Sequence, residues 1–151
     1  MKKFSHIPGS VLSDRKLDPS AQALTLADVR QPGAPLVYVN LGFEKMTGYS
    51  REETVGRNCR FLQGADTSQD AVSQMRTAIQ AGNSLLIDIL NYRKNGTAFW
   101  NRLSLTPVKD TDGTVTHYIG IQSDISRMRD LQDRLHEIAL GLGGSTGKLI
   151  V

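Results

Sequence analysis

Apolar and polar positions alternate with a period of two over three long stretches in the second half of the chain. Near residue 125 the period changes. Alternation marks a strand with one face turned inward. It predicts strands over 85–93, 98–109 and 114–123, joined at Asn95-Gly96 and Asp112-Gly113, dipeptides that suit tight turns. Upstream, Ala23–Ala27 and Leu36–Val39 read as two shorter strands that can pair across a Gln31–Pro35 turn. Helical pieces lie between them and the long strands. Leu41–Met46 is followed by Gly48. Ser50 and Glu53 have the spacing of a capping box. A longer helix opens at Asp66 or Ser68 and runs to Ala81, with Ala71, Val72, Met75, Ala78 and Ile79 as its inward stripe and Gly82-Asn83 as its stop. From Ile125 onward, Met128, Leu131, Leu135, Ile138 and Leu142 recur at spacings of three and four. This is an amphipathic helix with heptad character over about two heptads, expected to end at Gly141, Gly143 and Gly144. Two strands, several helices, three strands and a helix make an α+β domain, its last three strands an antiparallel meander with the helices on one face.

The alternation also sorts side chains by face. Asn91 shares its face with Leu85, Ile87 and Ile89, and Asn101 shares its face with Phe99, Leu103 and Leu105. Gln122 lies on a face with Thr116, Tyr118 and Gly120. Three carboxamides therefore fall on apolar faces of three strands. A buried amide without a partner costs roughly 1–3 kcal/mol. Singly, each reads as a backbone-bonded strand residue. Together they point to a ligand with a rigid donor–acceptor edge, because a carboxamide both gives and receives hydrogen bonds. Gly120 would let a flat group approach the sheet. The opposite faces carry Leu86, Leu90, Trp100, Ile119 and Ile121. These need cover, from the C-terminal helix, a partner subunit or both.

Composition narrows the class. The chain has 151 residues, 39% hydrophobic and 22% charged, which suits one globular domain. Its formal charge is +3, with the basic residues scattered. Arg127, Arg129 and Arg134 alternate with Asp130, Asp133 and Glu137, a solvated helix face rather than a phosphate-tracking stripe. Direct nucleic-acid binding is not expected. No apolar run is long enough for a membrane span, and Met1-Lys2-Lys3-Phe4 leads into no signal-peptide core. A cytoplasmic location follows as the expectation. His6, His117 and His136 are far apart, so no metal site is expected. No general acid–base pair or oxyanion donor set is placed for turnover.

The one cysteine, Cys59, cannot form an intramolecular disulfide. Arg57 and Arg60 flank it, and nearby positive charge favours the thiolate. Against that stands the ordinary reading of a lone cysteine as a small core residue. Arg60 and Arg76 are candidate anion ligands, since a guanidinium grips phosphate with a planar fork. Either alone also reads as a plain surface arginine.

Gly56-Arg57-Asn58-Cys59-Arg60-Phe61-Leu62-Gln63 resembles the signature of the light-oxygen-voltage (LOV) domains, a flavin-binding branch of the PAS fold. Thr47-Gly48-Tyr49, Asn91-Tyr92-Arg93-Lys94, Phe99-Trp100-Asn101 and Gly120-Ile121-Gln122-Ser123-Asp124 agree in order and spacing. The resemblance covers roughly residues 22–124. It divides the chain into an N-terminal cap (1–21), a LOV/PAS core (22–124) with a five-stranded antiparallel sheet, and a C-terminal amphipathic helix and tail (125–151). It implies a short blue-light photoreceptor, a signalling domain rather than an enzyme. Cys59 would be the photoactive thiol, bonding reversibly to flavin C4a. Asn58 and Gln63 would hold polar groups of the flavin, and Arg60 and Arg76 the phosphate of FMN. Asn91 and Asn101 would meet the pyrimidine edge, and Gln122 would sit near N5 and relay the signal. Thr25, Val72, Met75, Leu103 and Leu105 would line the ring. The segment between Gln63 and Arg76 is short and adds no arginine to Arg60 and Arg76, where some members of the family carry more; FMN is favoured, with FAD and riboflavin as alternatives. In this chemistry the excited flavin supplies the reactivity, so Cys59 needs no lowered pKa.

No effector domain is visible after residue 124, so output is expected through association. A homodimer would use the outer sheet face and terminal helices. The downstream partner is unidentified. The competing readings are a flavin-based redox sensor or a PAS-like interaction module, in which Cys59 is structural or oxidation-sensitive.

Overall fold

The computed structural model describes residues 22–144. The N-terminal cap and residues 145–151 lie outside them. Strand β1 (Ala23–Asp28) turns into β2 (Leu36–Val39). Helices α1 (Leu41–Thr47) and α2 (Arg51–Thr54), a 3₁₀ turn (Cys59–Leu62) and helix α3 (Gln69–Ala81) follow. Then come β3 (Leu85–Tyr92), β4 (Ala98–Lys109), β5 (Val115–Asp124) and helix α4 (Ser126–Gly144).

All five strands join one antiparallel sheet in the order β2-β1-β5-β4-β3. The expected meander is its second half. Its first half is the β1–β2 hairpin, docked by pairing β1 along β5, with Thr25 opposite Gly120 and Ala23 opposite Gln122. This pairing brings the beginning of the domain against its end.

Local chemistry explains the element ends. Asn40 caps α1 by accepting from Phe43 N, and Gly48 closes it at φ +80. Ser50 and Glu53 form the predicted capping box. Ser68 caps α3, and Gly82 ends it in the left-handed region, where a residue without a β-carbon fits best. Helix α4 departs from expectation. It passes through Gly141 and Gly143 to Gly144. A glycine lowers helix propensity by about 1 kcal/mol but does not break the hydrogen-bond ladder.

Two buried apolar groups flank the inner sheet face. One is Ala23, Leu36, Val39, Phe43 and Leu62, and the other is Leu103, Leu105 and Tyr118 with Met75 and Ile79 of α3 packed on it. The space between them is not filled by side chains. On the outer face, among the described residues, only the start of α4 gives cover. Ser126 Oγ accepts from Trp100 N at 2.8 Å, and the Arg129 guanidinium lies 3.8 Å from the Trp100 ring centre. Leu86 stays 67% exposed, and Leu131, Leu135 and Ile138 of α4 are 50%, 65% and 57% exposed. Among the described residues, both apolar surfaces are therefore left largely open.

Candidate functional site

The 3₁₀ turn that carries Cys59 is held at both ends. Asn58 Oδ1 accepts from Arg60 N at 2.8 Å, and Gln63 N donates to Arg60 O at 2.9 Å. Leu62 is buried below it, and Phe61 meets Tyr49 edge-on at 4.9 Å. The following loop is pinned to β3. Thr67 Oγ1 donates to Leu90 O and accepts from Gly64 N, while Tyr92 OH accepts from Asp66 N. Gly64 is required here, because a β-carbon would fall 2.3 Å from the Tyr92 ring. These ties hold Cys59 at the edge of the unfilled space.

That space is a cavity of about 110 Å³. This is several times the ~30 Å³ share of one water, so it is more than a packing defect. Of the residues expected to form the site, Thr25, Asn58, Cys59, Arg60, Gln63, Met75, Asn91, Asn101, Leu103, Leu105 and Gln122 all line it. Val72 and Arg76 do not. They line the mouth from α3, while Asn58, Arg60, Gln63, Met75 and Ile79 are shared between mouth and cavity. Arg60 and Arg76 thus stand on two walls of one opening, the 3₁₀ turn and α3. Val29, Ala34, Leu36, Ile79, Ile89 and Tyr118 also line the cavity and were not among the expected site residues. The inward stripe on α3 pointed to Ile79. The alternation on β3 and β5 pointed to Ile89 and Tyr118. Nothing local in the sequence marked Val29 or Ala34.

The amides meet as the alternation predicts. Asn101 Nδ2 donates to Asn91 Oδ1 at 3.0 Å, and Asn91 Nδ2 donates to Leu90 O at 3.3 Å. Gln122 Nε2 donates to Thr25 Oγ1 at 2.9 Å. Asn101 Oδ1 and Gln122 Oε1 are buried with no hydrogen-bond partner among the described residues. Gly120 opens the sheet beside them. A β-carbon there would fall 2.4 Å from Thr25 Oγ1 and 2.9 Å from Gln122 Nε2. Two orphaned acceptors, a bare stretch of sheet and apolar walls from Leu103, Leu105 and Met75 suit a flat heterocycle with polar groups along one edge. The residues present fit a flavin.

The thiol's charge state differs from what its neighbours in sequence suggest. The Arg57 guanidinium lies over the Phe61 ring, 4.1 Å from its centre, and Arg60 is exposed at the mouth. Neither charge governs the sulfur. Burial pushes the Cys59 thiol up to about 12, so it is a neutral S–H at physiological pH. Asn58 also departs from the simple ligand picture: besides its bond to Arg60 N, its Nδ2 donates to Gly33 O at 2.6 Å.

Comparison with known proteins agrees with this geometry. Residues 25–127 match the family model described as PAS domain. The chain is 44% identical over 130 residues to blue-light-activated histidine kinase 1 of Erythrobacter litoralis, covering 84% of this chain and 36% of that protein. It is 42% identical over 125 residues to phototropin-2 of Oryza sativa, covering 80% of this chain and 14% of that one. Among solved structures, the LOV domain of an Erythrobacter litoralis blue-light activated histidine kinase is 47% identical, with a TM-score of 0.68 over 70% of this chain and 96% of that one. The chain therefore spans about a third or less of these curated relatives. Such LOV relatives imply a flavin chromophore. The chain belongs to the PAS domain family and, within it, to the light-oxygen-voltage group of blue-light receptor domains.

Proposed function

We propose that this chain senses blue light through FMN held in the cavity, with Cys59 as the photoreactive thiol, and that it signals rather than catalyses. The observation that carries this is the placement of one neutral thiol and two orphaned buried acceptors on the same cavity. Arg60 and Arg76 at the mouth suit one phosphate monoester outside, with the ring inside. Asn91 and Asn101 offer their amides to the ring edge, while Leu103, Leu105 and Met75 exclude water from its faces. A flavin held there would supply a light-excitable ring able to bond a thiol reversibly, and the Cys59 side chain on the cavity wall is placed to be that thiol. Cys59 would give the sulfur and its proton to that bond and regain the proton on reversal, and burial keeps the thiol protonated beforehand.

Gln122 can report the event. Its Nε2 holds Thr25 and its Oε1 is unpaired. Turning the amide over exchanges donor for acceptor toward the cavity, and the Thr25 hydroxyl can pair with either end. Two residues on, Asp124 Oδ1 accepts from Ser126 N at the start of α4 and Asp124 Oδ2 pairs with Arg93 at 2.8 Å. A small exchange at Gln122 thus lies next to a helix start, the kind of two-state element a local switch biases. Output passes through α4 and a homodimer. A lone unpaired cysteine suits a reducing compartment, which supports a cytoplasmic setting.

One absorbance experiment tests the reading. Purified wild-type protein is expected to be yellow, to bleach in blue light and to recover in the dark. Cys59→Ala is expected to stay yellow and fluorescent without that cycle. A flavin-loaded wild type that does not bleach, or a Cys59→Ala variant that still cycles, would sink it.

A further inference from the structure

One wall of the cavity mouth has no regular structure: the tip of the turn between β1 and β2. Gln31, Gly33 and Ala34 line the mouth there, across from α3. The limb leading to the tip is tied down. Arg30 and Gln31 bond the Asp28 carboxylate, and Val29 N donates to Thr116 O. The returning limb is fixed by Leu36 N on Arg57 O at 2.8 Å. The tip itself is joined to the rest of the mouth by Asn58, whose Nδ2 donates to Gly33 O at 2.6 Å. The other end of the same amide accepts from Arg60 N. A single carboxamide thus spans the tip and the turn that carries Cys59.

The backbone of the tip does not favour this position. Ala34 sits at φ +46, a region that residues with a β-carbon seldom adopt, and it precedes Pro35, which restricts it further. The tip closes on itself through Ala34 N to Gln31 O at 3.1 Å, and the Asn58–Gly33 bond adds a tie from outside it. We infer that Asn58 is a latch: its donor end holds the tip across the mouth and limits how fast flavin leaves, while its acceptor end keeps the Cys59 turn wound. This rests on the flavin-binding reading above and makes Asn58 a positioning residue as well as a cavity wall.

Asn58→Asp separates the two ends. It keeps an acceptor for Arg60 N and loses the donor to Gly33 O. Asn58→Ala loses both. In the dark, flavin-loaded protein is mixed with excess flavin-scavenging protein and the release rate is read from fluorescence. Hydrogen exchange of the peptides covering 31–36 and 58–63 is followed in loaded and flavin-stripped protein. Asn58→Asp is expected to release flavin about five- to tenfold faster, the scale of one hydrogen bond. Its 31–36 peptide should exchange faster in both forms while 58–63 stays as in wild type. Asn58→Ala should loosen both peptides. Release at the wild-type rate overturns the latch. So does faster release with wild-type exchange at 31–36 in stripped protein, which would make Asn58 a flavin ligand alone. A chain that carries no flavin overturns the reading beneath; the exchange comparison then still decides whether Asn58 holds the tip.

Discussion

At Gly120 the site depends on the absence of an atom. Its missing β-carbon leaves room for the Thr25–Gln122 bond and for whatever lies flat against the sheet. Gly120→Ala is expected to break that bond and narrow the cavity. Flavin affinity should fall by about tenfold, a change worth about 1.4 kcal/mol, with the fold intact by circular dichroism. Wild-type flavin content in titration would refute this. The residue scale also shows what the sequence could and could not say. The three amides were legible because alternation assigns faces regardless of partners. The protonation of Cys59 was legible through the family resemblance alone, not from its flanking arginines. Arg57 and Arg60 are close in sequence, but the 3₁₀ turn sends one onto Phe61 and the other to the mouth. The double use of Asn58 was hidden, since it depends on where the Gly33 carbonyl arrives from 25 residues upstream.

Among the elements, β5 carries a second consequence of burial. His117 lies on the face opposite Tyr118 and Gly120, yet it is buried. Its Nδ1 meets Thr116 Oγ1 at 2.9 Å and its Nε2 lies 3.9 Å from Asp28 Oδ2. Desolvation lowers its pKa below 6.5, opposed by Asp28 and reinforced by Arg30. The unfolded chain therefore binds a proton near pH 6.5 that the folded chain refuses. Stability should fall as pH drops below that value, with a slope of at most about 1.4 kcal/mol per pH unit. Asp28, held well below the usual carboxylate range by Arg30, adds stability that is lost only at more acid pH. Chemical denaturation from pH 7 to 4.5 should show the decline, and His117→Gln should flatten it. An unchanged slope in that variant would assign the decline elsewhere. Element ends were legible to within about a residue wherever a glycine or a capping side chain marks them, as at Gly48, Ser50 and Gly82. The β1–β5 pairing was not, because no local pattern joins Thr25 to Gln122 across 97 residues.

At the scale of the molecule, the described residues leave two apolar surfaces open. Leu86 and Ile121 flank Ser104 on the outer sheet face, and the α4 stripe of Leu131, Leu135 and Ile138 is exposed. A second copy of the chain can cover both at once, which two heptads of helix do not achieve alone. Leu131→Glu with Leu135→Glu is expected to turn a dimer into a monomer in light scattering, leaving the light-dependent bleaching in place. A wild type that is monomeric at high concentration in dark and light would remove this assembly.

Helix α4 is attached at its first turn, through Ser126, Arg129 and Trp100, and extends for 19 residues. At 1.5 Å per residue that is roughly 28 Å of stiff rod. A tilt of about 10° at the base carries the far end about 5 Å, close to one full helical pitch. Mechanical gain of this kind needs no large motion in the core. With output through α4 as proposed, the rod's rigidity would set the amplitude of the message and the chemistry at the sheet only its timing.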